Sequence, residues 1–207
     1  MGEHHARAAQ RIPGVQVAAV CDPNPAAVER MKAEFGIASG FATLEQLLDG
    51  PTVDVADVVN PPSEHAETAR RCLERGIHVY VEKPFTQTLS EARSLLDLAE
   101  RSGLVAMPGH QLMFERPTSV ALELMPGIGR VVHVESYFSF RPSRPTDGRP
   151  GLSATDQLLD ILPHPTYLLG HFLSGEGGSE LELEHLFADE SGEVRALFRG
   201  GDASGLV

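Results

Sequence analysis

Glu82-Lys83-Pro84 is the segment of this chain best suited to chemistry, because it ends the short apolar run Val79-Tyr80-Val81. A run of this length and β-branched content predicts a strand buried on both faces, and proline cannot continue a central strand because it has no N–H to donate. Ligands of open parallel sheets bind outside the carboxyl ends of the strands, where Lys83 would lie. A partly desolvated lysine there can act as an acid or base near neutral pH. A solvated lysine after an edge strand is the alternative interpretation.

Asp160 and His164 form a second candidate pair, because residues four apart lie on one face of a helix. A carboxylate beside an imidazole can orient the ring and stabilise its charged form for proton transfer. Pro163 and Pro165 disfavour a regular helix here, which would place the pair at a helix break. An ordinary surface pair is the alternative. No third ligand has the spacing of a metal site, so no metal is expected.

Asp22 closes a predicted strand over residues 15–21 and is a candidate nucleotide ligand. An acidic side chain in this place can accept hydrogen bonds from an adenosine ribose, which favours NAD over a 2′-phosphorylated cofactor. Gly2 lies twenty residues earlier, the separation between the last glycine of a dinucleotide-binding fingerprint and its acidic residue. The two earlier glycines of the fingerprint are absent from the sequence. The alternative is that Asp22 is a turn or capping residue.

The segment Asn60-Pro61-Pro62-Ser63-Glu64-His65 closes the next predicted strand, over residues 53–59. Its backbone could form a wall against a cofactor at the same edge of the sheet. Alternatively, it is a strand-to-helix turn in which Ser63 caps the helix.

The elements that must position these residues alternate in the first half of the chain and change character in the second. Four strands separated by helices predict a Rossmann-like, doubly wound parallel sheet of the α/β class. Beyond it, a strand, a loop, a helix broken near Pro163 and a hairpin predict the start of an α+β domain with an open antiparallel sheet. The four strands are predicted at 15–21, 53–59, 77–81 and 104–107, and the later elements at 131–140, 141–153, 155–173, 181–188 and 193–199.

Capping residues predict where the helices of the first half begin. Asn24 precedes a proline at the first helical position, and Thr43 with Gln46 fits a capping box. Ser63 and Ser90 are the expected caps of the next two helices.

Composition excludes several classes of partner. The net charge of −12 argues against nucleic acid and anionic membranes, both of which need a basic surface. No apolar stretch approaches the roughly 20 residues of a membrane span, and the first five residues lack the hydrophobic core of a signal peptide. Cys21 and Cys72 are expected to be small core residues in a reducing compartment. The expected location is therefore the cytoplasm.

Taken together and in order, these segments resemble the glucose–fructose oxidoreductase / inositol dehydrogenase (Gfo/Idh/MocA) family of NAD(P)-dependent oxidoreductases. Glu82-Lys83-Pro84 matches the most specific motif of the family, and residues 160–164 match its Asp-three-residues-His motif. Residues 2–6 are similar to the end of its glycine loop and the start of its first helix. Residues 20–22 are similar to the end of its second strand, and residues 60–65 are similar to its segment beside the nicotinamide ribose.

The resemblance implies hydride transfer between the nicotinamide of NAD, with NADP as the alternative, and a carbinol carbon of a sugar, cyclitol or related polyol. Lys83 would hydrogen-bond the reacting hydroxyl, His164 would be the general acid/base, and Asp160 would support it or the substrate. It further implies a dinucleotide-binding domain at 1–113, a substrate and oligomerisation domain at 114–207, and a homo-oligomer formed through the C-terminal sheet. The implied cofactor-binding residues are Gly2, Asp22, Asn60, Pro61, His65, Glu82, Lys83 and Gln111.

The sequence departs from the family pattern in three places. Met113 stands where the family often has an arginine, the opening strand of the family's sheet is missing, and the chain stops before the antiparallel sheet is finished. These features predict an internal fragment of a longer enzyme, with unpaired edges on the strands at 15–21 and 54–60 or 77–81. They also predict weak or absent NAD binding by the 207 residues, because the missing loop supplies N–H groups for the pyrophosphate. The alternative function is a non-catalytic ligand-binding or regulatory protein on the same fold.

Overall fold

The computed structural model describes residues 1–138, 161–174, 181–188 and 193–207. Within them the chain divides into two compact units, Met1–Gly109 and His110–Val207.

The first unit alternates helices with short parallel strands, as the sequence predicts. Strands β1 and β2 pair in one parallel sheet, and β3, β4 and β5 pair in a second parallel sheet in that order. The Rossmann-like α/β architecture is therefore confirmed. β2 is a strand that the sequence pattern did not reveal. The elements are α1 (Gly2–Ala9), β1 (Ala19–Cys21), α2 (Pro25–Phe35), β2 (Ser39–Phe41), α3 (Leu44–Leu48), β3 (Val55–Val58), a 3₁₀ turn (Pro62–Glu64), α4 (His65–Glu74), β4 (His78–Val81), α5 (Leu89–Ser102) and β5 (Ala106–Pro108).

Only one side of β1 and of β3 is paired within the described residues. β1 contacts β2 through the register Ala19↔Ser39, and β3 contacts β4 through Val58↔Val81. This agrees with the unpaired edges expected for the strands at 15–21 and 54–60.

Helix caps agree with the sequence at two positions and differ at two others. The side chains of Asn24 and Thr43 accept the backbone N–H groups of Ala26 and Gln46. Thr88, rather than Ser90, caps α5, because Glu91 lies three residues after it and completes a capping box. Ser63 is likewise not a cap, since it lies inside a 3₁₀ turn that begins at a proline and precedes α4.

The core of the first unit fixes the register of the central strands. Val58, Val79 and Val81 are at most 3% exposed and pack against Leu73 of α4 and Leu95 of α5. Each such burial stabilises the fold by roughly 1.5–3 kcal/mol, and a shift of one residue would turn these side chains away from the core. The carboxyl ends of β3 and β4 therefore lie side by side, with Val58 paired to Val81.

The two cysteines lie in different surroundings, and both are unpaired. Cys72 is 1% exposed in the core, as expected, and burial raises the pKa of its thiol to about 11. The expectation was wrong for Cys21, which is exposed because it ends β1 at the sheet edge.

Among the described residues, the second unit contains the helices α6 and α7 and a four-stranded sheet in the order β6-β9-β8-β7. β7, β8 and β9 are antiparallel, which confirms the predicted hairpin, whereas β6 pairs with β9 in parallel. Gly205 of β9 packs against the second helix so closely that a Cβ would lie 2.6 Å from Leu169 Cδ1. The elements are a 3₁₀ turn (Gln111–Phe114), α6 (Arg116–Ile128), β6 (His133–Glu135), α7 (Pro163–Ser174), β7 (Glu182–Ala188), β8 (Val194–Gly200) and β9 (Ala203–Leu206).

Four sequence predictions for this unit differ from the described residues or fall at least partly outside them. The strand predicted over 131–140 is limited to His133–Glu135, and the helix predicted over 155–173 is described from Pro163 onward. Asp160 and the loop at 141–153 lie outside the described residues. None of the described helices has the length and apolar character that crossing a bilayer requires.

Candidate functional site

The candidate segments 60–65 and 82–84 lie at the carboxyl edge of the three-stranded sheet, whereas Asp22 follows β1 of the two-stranded sheet. Val81 of β4 pairs with Val58 of β3 and Pro108 of β5, so the three strands end side by side. Glu82 N donates to Val58 O at 2.9 Å, and Gly109 N donates to Val81 O at 2.7 Å. The predicted position of the Glu-Lys-Pro segment is therefore the observed one.

Close packing at this edge explains why a glycine follows β5. A Cβ on Gly109 would lie 3.2 Å from Tyr80 Oη, 3.2 Å from Val81 O and 3.3 Å from Glu82 Cα. The contacts with Val81 O and Glu82 Cα involve backbone atoms that cannot easily move. Gly109 therefore allows β5 to approach the segment that carries Lys83.

Glu82 and Lys83 differ in how they are held. Glu82 is 7% exposed, and its Oε2 accepts the backbone N–H of Lys83 at 2.8 Å. Lys83 itself is half-buried. The Glu82 carboxylate thus fixes the backbone at Lys83 from one side.

His65 fixes the same segment from the other side. Its ring is 1% exposed, with Nδ1 2.8 Å from Pro84 O and Nε2 2.9 Å from Asn60 O. The buried ring therefore connects the ends of β3 and β4. In this arrangement it supports the backbone and presents no ring nitrogen to a cofactor.

His5 of α1 contacts two carboxylates at this edge. Its Nδ1 lies 2.9 Å from Asp57 Oδ2, and its Nε2 lies 3.4 Å from Glu82 Oε1. Tyr80 packs edge-on against the imidazole, with ring centroids 5.9 Å apart. His5, Asp57 and Tyr80 are functional candidates that the sequence reasoning missed, because the contacts join residues far apart in the chain.

The electrostatics of this group follow from burial and charge. Hydrogen bonds to Asp57 and Glu82 raise the pKa of His5 to about 9, although burial opposes the shift. Burial raises the pKa of Glu82, but hydrogen bonds from His5 and from the Lys83 backbone outweigh it, so the net shift is downward. Burial, followed by the charges of Glu82 and Asp57, raises the pKa of Tyr80. Near neutral pH the group is therefore an imidazolium between two carboxylates.

We expect this ion-pair group to make stability depend on alkaline pH. Because folding raises the pKa of His5 from 6.5 to about 9, its contribution is fully present below pH 6.5 and is lost as the pH rises through about 9. Urea unfolding across this range should show a falling free energy of unfolding in the wild type and a smaller fall in His5→Gln. Equal slopes in the two proteins would contradict the assignment.

Two side chains at the strand ends offer acceptors that fit a dinucleotide. Asn60 Oδ1 is buried and is the one buried side-chain oxygen or nitrogen of the described residues without a hydrogen-bond partner, while its Nδ2 donates to Thr68 at 2.9 Å. A buried acceptor without a donor is costly and is satisfied when a ligand supplies an N–H or O–H. One carboxylate oxygen of Asp22 accepts the N–H of Asn24 at 2.8 Å, which leaves the other for a ribose hydroxyl.

The remaining predicted cofactor residues of this unit lie near the same strand ends. Gly2 begins α1, and a Cβ placed on it would lie 3.7 Å from Val59 at the end of β3. Pro61 follows Asn60 and precedes the 3₁₀ turn. The residues present after β1 and β3 and at the start of α1 therefore fit a nicotinamide dinucleotide.

The second unit contains a group of rings around His164, which is 8% exposed on α7. His164 Nδ1 lies 2.9 Å from Tyr167 Oη, which also accepts the backbone N–H of Leu112 at 3.3 Å. His110 stacks on Tyr167 with ring centroids 4.1 Å apart, and Phe138 lies parallel to His164 at 6.0 Å. Burial, and then the charge of His164, lowers the pKa of His110.

Tyr167 is the residue of this group that the sequence analysis missed. It lies three residues after His164 and so shares a face of α7 with it. That spacing was the signal that could have identified it. By contrast, the predicted cofactor residue Gln111 is exposed at the start of a 3₁₀ turn, and Met113 is half-buried in the same turn.

A search of the described residues finds no group of three or more His, Cys, Asp or Glu side chains able to hold a metal ion.

Comparison with known proteins places this chain in a family. The model of the oxidoreductase family with an NAD-binding Rossmann fold, GFO_IDH_MocA, matches residues 1–110. The chain belongs to this family. Its Rossmann-like unit is the part that the family model matches, which agrees with the resemblance inferred from the Glu-Lys-Pro segment.

Individual relatives of this Gfo/Idh/MocA chain include sugar and cyclitol enzymes. It is 31% identical over 198 residues to a dTDP-3,4-didehydro-2,6-dideoxy-alpha-D-glucose 3-reductase of Saccharopolyspora spinosa, covering 92% of this chain and 59% of the relative. It is 23% identical over 199 residues to a scyllo-inositol 2-dehydrogenase (NAD(+)) of Bacillus subtilis, covering 94% and 58%. The chain thus spans less than two thirds of the length of these relatives.

A solved structure shares the fold of this Gfo/Idh/MocA chain. The 3-ketoreductase KijD10 of Actinomadura kijaniata, in complex with TDP-benzene and NADP, superposes with a TM-score of 0.77 at 24% identity. The match covers 97% of this chain and 62% of KijD10. Both the parallel sheet and the antiparallel sheet therefore have a counterpart of known structure.

Proposed function

We propose that the protein is an oxidoreductase that transfers a hydride between a nicotinamide cofactor and a carbinol carbon of a sugar, cyclitol or related polyol. The observation that carries the proposal is the position of Lys83. It lies at the carboxyl edge of a Rossmann-like sheet, its backbone N–H is held by Glu82, and the carbonyl of the next residue is held by His65. Family membership supports the hydride chemistry, and the activities of the glucose reductase and inositol dehydrogenase relatives support the substrate class.

Residues of the first unit bind the cofactor in this proposal. Asp22 accepts a ribose hydroxyl, and Asn60 Oδ1 accepts a donor hydrogen. The backbone at Gly2 and Pro61 lies alongside, and Gln111 is proposed as a further cofactor-binding residue. When bound, a nicotinamide dinucleotide accepts or donates the hydride. NAD is the favoured form, because the carboxylate of Asp22 would repel a 2′-phosphate.

Lys83 and His164 handle the oxygen and the proton of the reacting group. The Lys83 ammonium donates a hydrogen bond to the reacting oxygen, which stabilises the negative charge that develops there during oxidation. His164 accepts the hydroxyl proton during oxidation and returns it during reduction. Tyr167 engages Nδ1 of His164, so we assign the exchange to Nε2. Asp160 is proposed to support His164 or the substrate.

The domain division and assembly are proposed with the function. Residues 1–113 form the cofactor-binding domain, and residues 114–207 form a domain for substrate and oligomerisation. Leu183, Leu186 and Phe187 on β7 are 50%, 64% and 52% exposed, which supports association of copies through this sheet.

The decisive experiment measures both binding and turnover in the full-length protein. Calorimetry with NAD and NADP tests cofactor binding. A panel of cyclitols, aldoses and nucleotide-linked sugars, followed by the absorbance of the reduced nicotinamide, tests turnover. Oxidation of at least one polyol with NAD is the expected result. Dinucleotide binding without turnover on the whole panel would instead favour a ligand-binding or regulatory protein.

A further inference from the structure

His5 is placed between two carboxylates in a way that determines its charge. Its Nδ1 faces Asp57 on β3, and its Nε2 faces Glu82 after β4. A neutral imidazole has one N–H and can donate to one of these carboxylates, whereas an imidazolium donates to both. A carboxylate next to each ring nitrogen therefore favours the doubly protonated ring, and the raised pKa of His5 agrees with it.

The Glu82 carboxylate contacts both His5 and the backbone N–H of Lys83. Its side chain is 10% exposed, and its two oxygens are divided between two partners. Oε1 faces His5, and Oε2 accepts the Lys83 N–H at 2.8 Å. Movement of the Glu82 carboxylate would therefore displace the backbone that carries Lys83.

The helix that carries His5 begins at Gly2, beside the end of β3. We propose that His5 is a positioning residue that connects the start of this helix to Lys83 through Glu82. The effect of His5 on catalysis rests on the proposed function of Lys83. The structural connection from His5 through Glu82 to the Lys83 backbone does not depend on that function. The same contacts make the connection dependent on pH.

The ionisable groups facing His5 come from two neighbouring strands of the three-stranded sheet, β3 and β4. Asp57 projects from β3, while Tyr80 and Glu82 belong to β4 and its end. On the α2 side, Glu3 pairs with Arg30 and Arg7 pairs with Glu34. These two pairs engage other residues of α1, so the nearest charges to His5 are the two carboxylates.

Nuclear magnetic resonance of the full-length protein tests the connection without an activity assay. Lys83→Met is the background, because it removes the only other charged side chain of that residue's own segment apart from Glu82 and leaves its backbone N–H in place. In that background, the backbone amide at position 83 should shift with a midpoint near pH 9, the value to which the pKa of His5 is raised. Adding His5→Gln should abolish this shift. Adding His4→Gln, an exposed neighbour on the same helix, should leave it unchanged.

Either of two results would overturn the proposal: the shift persists when His5→Gln is added, or no shift occurs near pH 9 in the Lys83→Met background.

Kinetic measurements test whether the connection affects catalysis. His5→Gln should lower kcat by roughly 10- to 100-fold, because small displacements of a catalytic group have effects of this size, with a smaller change in dinucleotide Kd. The double variant His5→Gln/Glu82→Gln should lower kcat no further than the more damaging of the two single substitutions. If the two reductions in kcat instead multiply, the connection is contradicted. If the wild type oxidises no polyol, the proposed function fails while the amide shift still decides the connection.

Discussion

Lys83→Met is expected to lower kcat for polyol oxidation by about 10²- to 10⁴-fold, the range for losing a group that assists proton transfer. Methionine keeps much of the length and apolar stem of lysine but lacks the ammonium that would hold the reacting oxygen. The backbone contacts of the segment do not involve this side chain, because Glu82 accepts the Lys83 N–H and His65 contacts Pro84 O. Dinucleotide binding should therefore change far less than kcat. Steady-state kinetics and calorimetry on the same preparation measure both quantities.

The chain offers a matched control, because Lys32 is the one lysine of the sequence besides Lys83. Lys32 lies on α2 and pairs with Glu29 at 3.0 Å, away from the carboxyl edge of the strands. Lys32→Met should leave kcat within experimental error. Turnover by Lys83→Met at the wild-type rate would remove Lys83 from the catalytic role and with it the main support for the proposed function.

The position of Lys83 could be predicted because the signals that set it are local. Apolar residues at 79 and 81 pack into the core, and Pro84 ends the strand within three residues. The same reasoning placed Asp22 and Asn60 at strand ends. Local signals failed where two of them competed, as at Thr88 and Ser90. There the capping box with Glu91 determined which residue begins α5.

The group around Lys83 could not be predicted, because it depends on residues distant in sequence. His5 and Asp57 are separated by 52 positions, and no periodicity relates them. Their contact follows from the position of α1, which begins beside the end of β3. The short β2 escaped prediction for a similar reason, since Ser39, Gly40 and Phe41 have no alternating pattern and are ordered by pairing with β1.

His164→Asn is expected to lower kcat by about 10²- to 10⁴-fold and to remove the limb of the kcat/KM profile that follows histidine protonation. Asparagine can still contact Tyr167 Oη through its amide but cannot exchange a proton near neutral pH. The ring packing favours a specific role, because Phe138 and Tyr167 restrain the imidazole and leave it 8% exposed. Loss of proton exchange should therefore appear as a fall in kcat with a smaller change in dinucleotide Kd.

His171→Asn is the matched control, since His171 is exposed on the same helix, α7. It should retain both the rate and the shape of the pH profile. The kcat of Tyr167→Phe should lie between those of His164→Asn and His171→Asn. This substitution removes the hydroxyl that contacts Nδ1 of His164 but keeps the ring that stacks on His110. If His164→Asn kept the wild-type pH profile, the proton would have to move through another group, and Lys83 would then be the remaining candidate of the two residues proposed to handle it.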